Sequence, residues 1–129
     1  ISEVAARPPG AQFTSLLSYA HDLDVDYAWP RLVIENRFEA PPRRWSVGAA
    51  YVRGHHNNQS SGRVRGIVGL DVAQRELGAL VVEARLPRVG DVQKGGYEGA
   101  GYVILRHHDT RVVEQALQRT VELVRVELG

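Results

Sequence analysis

The sequence contains no cysteine, no methionine and a single lysine, Lys94, among 129 residues. Without cysteine the chain has no disulfides, thiolate zinc sites or thiol nucleophiles. No apolar run approaches the roughly 20 residues of a membrane-spanning helix and no signal peptide is recognisable, so we expect a cytoplasmic protein without membrane contact. Because strand-like sequence begins almost at once after Ile1, we expect a piece of a longer protein.

A strong charge of either sign is also missing, since the formal net charge is only +1. The charge balance therefore gives no reason to expect nucleic acid as a partner. The 43% hydrophobic and 24% charged residues are typical of a globular chain rather than a disordered one. A length of 129 residues is enough for one domain with a modest core.

Apolar spacing predicts two helices in the first third of the chain. Between residues 13 and 20 apolar side chains recur at i, i+3, i+4 and i+7, which is one helical stripe. A second helix follows with Asp24 or Asp26 as its N-cap, and Pro30 either lies in its first turn or kinks it. Residues 39–44 are predicted to be a linker.

From Trp45 onward the period changes to the alternation that is typical of strands. The predicted strands are 45–52, 63–68, 80–86, 102–106 and, at a sheet edge, 125–128. Residues 54–62 and 87–101 are predicted to be loops because they are rich in polar and turn-forming residues.

Two helices are predicted between these strands. The shorter one has Asp71 as N-cap, Gln74 at the reciprocal capping-box position and Gly78 at its end. The longer one is capped by Asp109 or Thr110. Its apolar stripe consists of Val112, Val113, Ala116, Leu117, Val121 and Val124.

Short connections between mixed helices and strands predict an α/β (α+β) fold with a largely antiparallel sheet flanked by helices. We expect two units, residues 1–44 with the first strand and two helices, and residues 45–129 with the remaining elements. The second unit is predicted to be the more stable one, because it contains the strand pairs and the best amphipathic helix.

The strongest candidate for a functional site is the segment Glu3-Val4-Ala5-Ala6-Arg7-Pro8-Pro9-Gly10. If residues 3–7 form a strand, Glu3 and Arg7 share one face, and the two prolines end the strand just after Arg7. A carboxylate can bind Mg²⁺ and an arginine can grip a phosphate or carboxylate with two hydrogen bonds. The alternative is a surface ion pair at the end of a strand.

Two other patterns admit a site, but each also has a simpler structural explanation. The glycine-rich residues 95–101 could cradle phosphate, although a strand follows them instead of the helix N-terminus that such loops require, which favours a structural loop. Residues 55–56 and 107–108 are paired histidines that could bind a metal. Adjacent strand residues point to opposite faces and no ligand spacing is present, so solvated histidines are favoured.

Three segments, in their order, resemble the C-terminal part of ATP-grasp ligases, in the carboxylate–amine (L-amino-acid ligase) and biotin-carboxylase-like branch. The first is the segment from Glu3 to Gly10, which resembles the family's Glu-x-Asn-x-Arg-x-x-Gly motif. The others are Gly62-Arg63-Val64-Arg65-Gly66-Ile67-Val68-Gly69-Leu70, and Gly90-Asp91-Val92 with Gly101-Tyr102-Val103-Ile104 and the last helix. The chain departs from the motif at Ala5, where the family usually has asparagine.

The resemblance implies a C-terminal fragment or chain of an ATP-dependent ligase that joins a carboxylate to an amine through an acyl phosphate. It implies that Glu3 binds Mg²⁺ at the ATP phosphates and that Arg7 binds the phosphates and steadies the acyl phosphate or the substrate carboxylate. Gly10 would line the acceptor side of the pocket.

The resemblance also implies partners, namely the remaining ATP-grasp domains and small carboxylate and amine substrates, and it is compatible with a homodimer. Since those domains are missing from these residues, we expect the chain to be inactive alone. The alternative is a non-catalytic small-molecule-binding or assembly domain.

Overall fold

The computed structural model describes residues 10–55, 61–96 and 99–129, with only the backbone of His55. The elements in chain order are α1 (Phe13–His21), α2 (Val25–Glu35), β1 (Ser46–Val52), β2 (Gly54–His55), β3 (Ser61–Val68), α3 (Leu70–Leu77), β4 (Val81–Arg85), β5 (Val92–Lys94), β6 (Gly101–His107), α4 (Thr110–Leu123) and β7 (Arg125–Leu128). A 3₁₀ turn, Gly78–Leu80, joins α3 to β4. The predicted mixed class is confirmed. No helix in the described ranges is long and apolar enough to cross a bilayer.

The strands form two sheets with the orders β1–β6–β4 and β2–β7–β3–β5. All their pairs are antiparallel except β2 with β7, which confirms a largely antiparallel architecture for the described strands. The prediction of β7 as an edge strand is wrong, because β7 lies between β2 and β3. Its second neighbour, β2, comes from a segment that was predicted to be loop, as does β5.

The first sheet packs one face against α3 and α4. The buried cluster on this face consists of Leu77, Val103, Leu105 and Ala116. On β1, Gly48 lets α4 approach closely, since a Cβ atom there would overlap the Leu117 side chain. The fold therefore needs glycine at this position for close packing of helix on sheet.

The second sheet has its own buried cluster, formed by Val52, Val64, Val124, Val126 and Leu128. Along β7 the valine and leucine are buried while Arg125 and Glu127 are exposed, which is the alternation of a sheet with one covered face. Leu86 packs against both clusters and so joins the two cores. We call residues 46–128, which contain all these elements, the sheet body.

Helices α1 and α2, which we call the helical pair, contain no buried residue. Helix α1 contacts β1 and β6, and α2 contacts α1. The Asp24 side chain caps α2 by accepting a hydrogen bond from the Tyr27 backbone N–H, 3.1 Å away. Pro30 is the sixth residue of α2, past the first turn, where it removes one backbone hydrogen bond from the helix.

Several details of the predicted helices differ. Gly69, in a left-handed conformation with φ of 84°, precedes α3, so Asp71 lies in the first turn rather than at the N-cap. Gly78 does follow the last residue of α3, but its right-handed φ of −55° continues the chain into the 3₁₀ turn. On α4 the N-cap is Asp109, as one alternative predicted, whereas Val121 is exposed and Thr120 is buried instead.

Candidate functional site

Two of the three predicted site residues, Glu3 and Arg7, lie outside the described residues, so their roles stay predictions. The third, Gly10, begins the described part of the chain, in the turn before α1. Ala11 and Gln12 continue this turn with left-handed φ angles of 53° and 63°, which are uncommon for residues other than glycine. The end of the predicted motif is thus a tight turn at the N-terminus of α1.

The sheet face opposite α4 carries several polar side chains beside the buried Ile104, and α1 lies against this sheet. Pairing of β1 with β6 places Tyr51 opposite Tyr102, and their rings meet edge to face with centroids 6.3 Å apart. Glu83 on β4 accepts a hydrogen bond from the Tyr102 hydroxyl at 3.0 Å and one from the Tyr19 hydroxyl of α1 at 3.3 Å. We call these four residues (Tyr19, Tyr51, Glu83 and Tyr102) the polar layer.

The polar layer is built from protonated tyrosines and one carboxylate acceptor. Burial, together with the Glu83 carboxylate, raises the pKa of the Tyr19 and Tyr102 hydroxyls above the ordinary value of 10.0. Both hydroxyls therefore stay protonated at neutral pH and donate to Glu83. The Tyr51 hydroxyl donates to the Ala11 carbonyl oxygen at 2.6 Å, which connects the layer to the turn after Gly10.

A second polar cluster holds the other end of α1. The Asp22 carboxylate accepts from Trp45 Nε1 at 2.9 Å and from Arg106 Nη1 at 2.9 Å. The hydrogen bond from the Trp45 indole, with Arg106 beside it, holds the pKa of the Asp22 carboxyl below its ordinary value. The Arg106 guanidinium lies 4.2 Å from the centre of the Trp45 ring, whose other contact is a stacked His108 at 3.9 Å.

The potential metal ligands among the described residues do not converge on one place. No group of three or more histidine, aspartate and glutamate side chains among them could hold a metal ion. His107 accepts through Nδ1 from the Asp109 backbone N–H at 2.9 Å, so it is engaged in the turn before α4. His56 lies outside the described residues.

The glycine-rich segment serves as a structural connection between β5 and β6. Gly99 has a left-handed φ of 67°, and a Cβ atom there would lie 2.5 Å from the Val52 carbonyl oxygen. The next residue, Ala100, donates its backbone N–H to the same oxygen at 2.8 Å. A strand follows, as predicted, so no helix N-terminus is available for phosphate there.

The helical pair borders two recesses of the described surface. One of about 700 Å³ is bordered by polar and apolar residues, among them Tyr27, Arg31 and Glu39. The other, of about 340 Å³, is almost wholly apolar. Its lining includes Leu17, Val25, Trp29, Leu32, Phe38 and Pro41. We call this second recess the apolar groove.

Sequence reasoning did not find the polar layer. Alternation assigns Tyr51 to one face of β1 and Tyr102 to one face of β6. It does not show that β1 pairs with β6, so it could not bring the two tyrosines together. Glu83 was not recognisable because a bulge between Val81 and Glu83 shifts the β4 register. One usable signal was the pair of tyrosines in otherwise aliphatic strands.

Comparison with known proteins then gives one informative similarity. No protein-family profile matches the chain, and no curated protein matches it. Among solved structures it is similar to the L-amino acid ligase from Bacillus licheniformis, with a TM-score of 0.65 and 14% identity over 90% of this chain. The chain spans 30% of the length of that ligase. At this identity the similarity shows the fold alone, which is ATP-grasp-like.

Proposed function

We propose that this chain is the C-terminal fragment or chain of an ATP-dependent carboxylate–amine ligase. The observation that carries the proposal is the structural similarity to an L-amino acid ligase over 90% of the chain. The motif from Glu3 to Gly10 supports it as well. If residues 3–7 form a strand, as predicted, a carboxylate and an arginine share one face, which suits phosphoryl transfer because that reaction depends mainly on positioning and charge.

In the proposed reaction a substrate carboxylate oxygen attacks the terminal phosphorus of ATP, and the bond from that phosphorus to ADP breaks. An amine nitrogen then attacks the acyl carbon, phosphate leaves, and the nitrogen loses a proton to form the amide. Glu3 binds the Mg²⁺ at the phosphates, and Arg7 neutralises charge on the phosphates and the acyl phosphate. Gly10 borders the acceptor side of the pocket.

The remaining ATP-grasp domains are the proposed partners. Seven large hydrophobic residues of residues 10–44 are exposed, among them Tyr27, Val33, Ile34 and Phe38. Seven exposed large hydrophobic residues in one short segment are consistent with a surface that another domain covers. A single carboxylate and arginine make only part of a site for Mg-ATP, so the chain alone is expected to be inactive. A homodimer and a cytoplasmic location stay predictions.

Calorimetry with the chain alone tests where the nucleotide site lies. Mg-ATP titrated into the chain should bind weakly or not at all, and no hydrolysis should follow. Micromolar binding that survives Glu3→Gln would show that the nucleotide site lies elsewhere in these residues.

Kinetics of the complete protein test the reaction. With a panel of amino acids, ADP release should depend on both a carboxylate and an amine substrate. Arg7→Ala should lower kcat by roughly 10²–10³, or about 3–4 kcal/mol, with less effect on the KM for ATP. Arg7→Lys should recover little, because an ammonium cannot replace the planar fork, and Glu3→Gln should weaken Mg-ATP.

The matched control is Arg111→Ala on the exposed first turn of α4. It should leave turnover unchanged. Turnover within about threefold of the parent in Arg7→Ala, far short of the loss expected from a charge-stabilising donor, would make Arg7 a surface ion-pair partner.

The apolar groove favours one second candidate, a non-catalytic small-molecule-binding or assembly domain. Its apolar lining is suitable for a small hydrophobic ligand or for an apolar segment of another chain. The genomic reading frame upstream of Ile1 separates the two. A start codon just before Ile1 supports the binding domain, whereas a continuing frame that encodes a nucleotide-binding lobe supports the ligase.

A further inference from the structure

The turn at residues 10–12 is an unfavourable backbone conformation that the surrounding structure must hold. Ala11 and Gln12 both have positive φ angles, and two consecutive residues with a Cβ atom seldom adopt them. Two backbone hydrogen bonds bridge the turn to α1, from Phe13 N–H to the Gly10 carbonyl at 3.2 Å and from Leu16 N–H to the Gln12 carbonyl at 2.9 Å. Neither bond uses the carbonyl of Ala11.

The Ala11 carbonyl instead accepts the Tyr51 hydroxyl at 2.6 Å, a short hydrogen bond. Tyr51 is a good anchor because it belongs to β1, whose seven residues all pair with β6. Its ring also meets the Tyr102 ring. The bond therefore ties the turn to β1 of the first sheet, 40 residues further along the chain.

We propose that Tyr51 is a positioning residue: it holds the turn at residues 10–12, which directly follows the segment with Glu3 and Arg7 in the sequence, and so affects the activity of that segment. This inference rests on the proposed function, which assigns the roles of Glu3 and Arg7. Two residues separate Arg7 from Gly10 in the sequence, and both are prolines, whose φ angle is fixed by the ring. We therefore expect a shift of the turn to affect Arg7. Small displacements of a group that acts on the transition state lower turnover more than substrate binding.

A matched pair of substitutions tests this hydrogen bond. Tyr51→Phe removes the donor to Ala11 and keeps the ring and its contact with Tyr102. Tyr102→Phe is the control, because it removes a hydroxyl from the same ring pair but one that donates to Glu83 and not to the turn. Both variants retain the ring that packs on the sheet face, so both are expected to fold.

Amide exchange in the 129-residue chain gives the first readout. In Tyr51→Phe the Phe13 and Leu16 amides should exchange roughly threefold to tenfold faster, as expected for the loss of one hydrogen bond, while amides of the sheet body keep their rates. In Tyr102→Phe these two amides should keep the parent rates. Equal rates for Phe13 and Leu16 in all three proteins would overturn the inference.

Steady-state kinetics of the complete protein give the second readout. Tyr51→Phe should lower kcat by roughly threefold to tenfold with an unchanged KM for ATP, whereas Tyr102→Phe should change neither. Faster exchange with an unchanged kcat would leave Tyr51 a purely structural residue and overturn its positioning role. Absence of ATP-dependent ligation in the parent protein would instead refute the proposed function and with it the catalytic role of Tyr51. The exchange rates would then decide whether Tyr51 holds the turn.

Discussion

Helices α2 and α4 are the two longest helices described, with 11 and 14 residues, and both begin at an aspartate that caps the backbone. Yet α4 buries Val113, Ala116 and Thr120 against the first sheet, whereas α2 buries no residue. Both segments can form a helix locally, so the difference is what each helix packs against. In the described structure the sheet body has two buried hydrophobic clusters. The helical pair instead exposes large hydrophobic side chains to solvent.

Helices α1 and α4 also differ in the kind of contacts that they make with the first sheet. Helix α4 packs on its sheet through aliphatic side chains. On the opposite face, which also includes the buried Ile104, hydroxyl, indole and guanidinium groups make hydrogen bonds to α1 and the residues that flank it. A typical hydrogen bond contributes only about 0.5–1.5 kcal/mol net, because folding exchanges it for bonds to water. We therefore expect the helical pair to be held less firmly than α4 is.

The largest expected difference between the two regions is in the cost of removing buried volume. Ile104→Ala in β6, where the isoleucine is 0% exposed, should lower the free energy of unfolding by about 2–5 kcal/mol. The matched change Ile34→Ala in α2, at 80% exposure, should stay within about 0.5 kcal/mol. Urea unfolding measures both values. Comparable costs would show that α2 belongs to the cooperative core.

Hydrogen exchange of the unmodified chain sharpens the comparison. Amides of the helical pair should exchange at least about tenfold faster than those of β1, β6 and α4, because weakly packed segments open without global unfolding. Uniform protection in both regions would contradict the predicted division into residues 1–44 and 45–129.

The helix caps provide a smaller test with the same substitution in each region. Asp109→Ala, which removes the cap of α4, should lower global stability by about 1 kcal/mol. Asp24→Ala removes the equivalent cap of α2 and should reduce helicity, measured by circular dichroism, without moving the urea midpoint. An equal shift of the midpoint in both variants would indicate that the two helices unfold together.

The smallest expected effect is the acid dependence of the contact between α1 and the sheet body. Because the folded pKa of Asp22 is depressed, its stabilising contribution is present above the ordinary value of 3.8 and is lost as pH falls through the folded pKa. The Trp45 indole N–H resonance of the parent should therefore shift as pH falls through the folded pKa of Asp22, which lies below 3.8.

Two variants control this titration. In Asp22→Asn the Trp45 resonance should be flat as pH falls through the same values. Glu76→Gln, which removes the partner of Arg119 between α3 and α4, should leave the Trp45 titration as in the parent. A Trp45 shift that persists in Asp22→Asn would assign the titration to another group.

Local signals predicted the helices well. The stripe over residues 13–20 corresponds to α1. Asp24 and Asp109 are the N-caps of α2 and α4, and each was one of the two residues predicted for its position. These features depend on residues within one or two turns of each other, which is why they are readable in the sequence. Short strands were harder, since β2 and β5 comprise two and three residues in segments rich in turn formers.

The candidate site also has some features that local sequence predicts and others that it does not. The pattern from Glu3 to Gly10 indicated a carboxylate and an arginine near a turn, and the turn begins where Gly10 predicted it. The sequence could not reveal that Tyr51 bonds to Ala11, because this requires α1 to lie on one particular face of β1. Nor could it pair Glu83 with both Tyr19 and Tyr102, which come from three different elements.

The sequence by itself thus determined the mixed class, the helices and the extents of the long strands, because backbone propensity, capping and periodicity act over a few residues. Only the tertiary structure decided that β7 lies inside a sheet, that α4 buries residues while α2 buries none, and that Tyr19, Glu83 and Tyr102 meet on one face of the first sheet. Those outcomes depend on contacts between residues far apart in the chain. Alternation shows that a strand has two faces but not which neighbour each face meets.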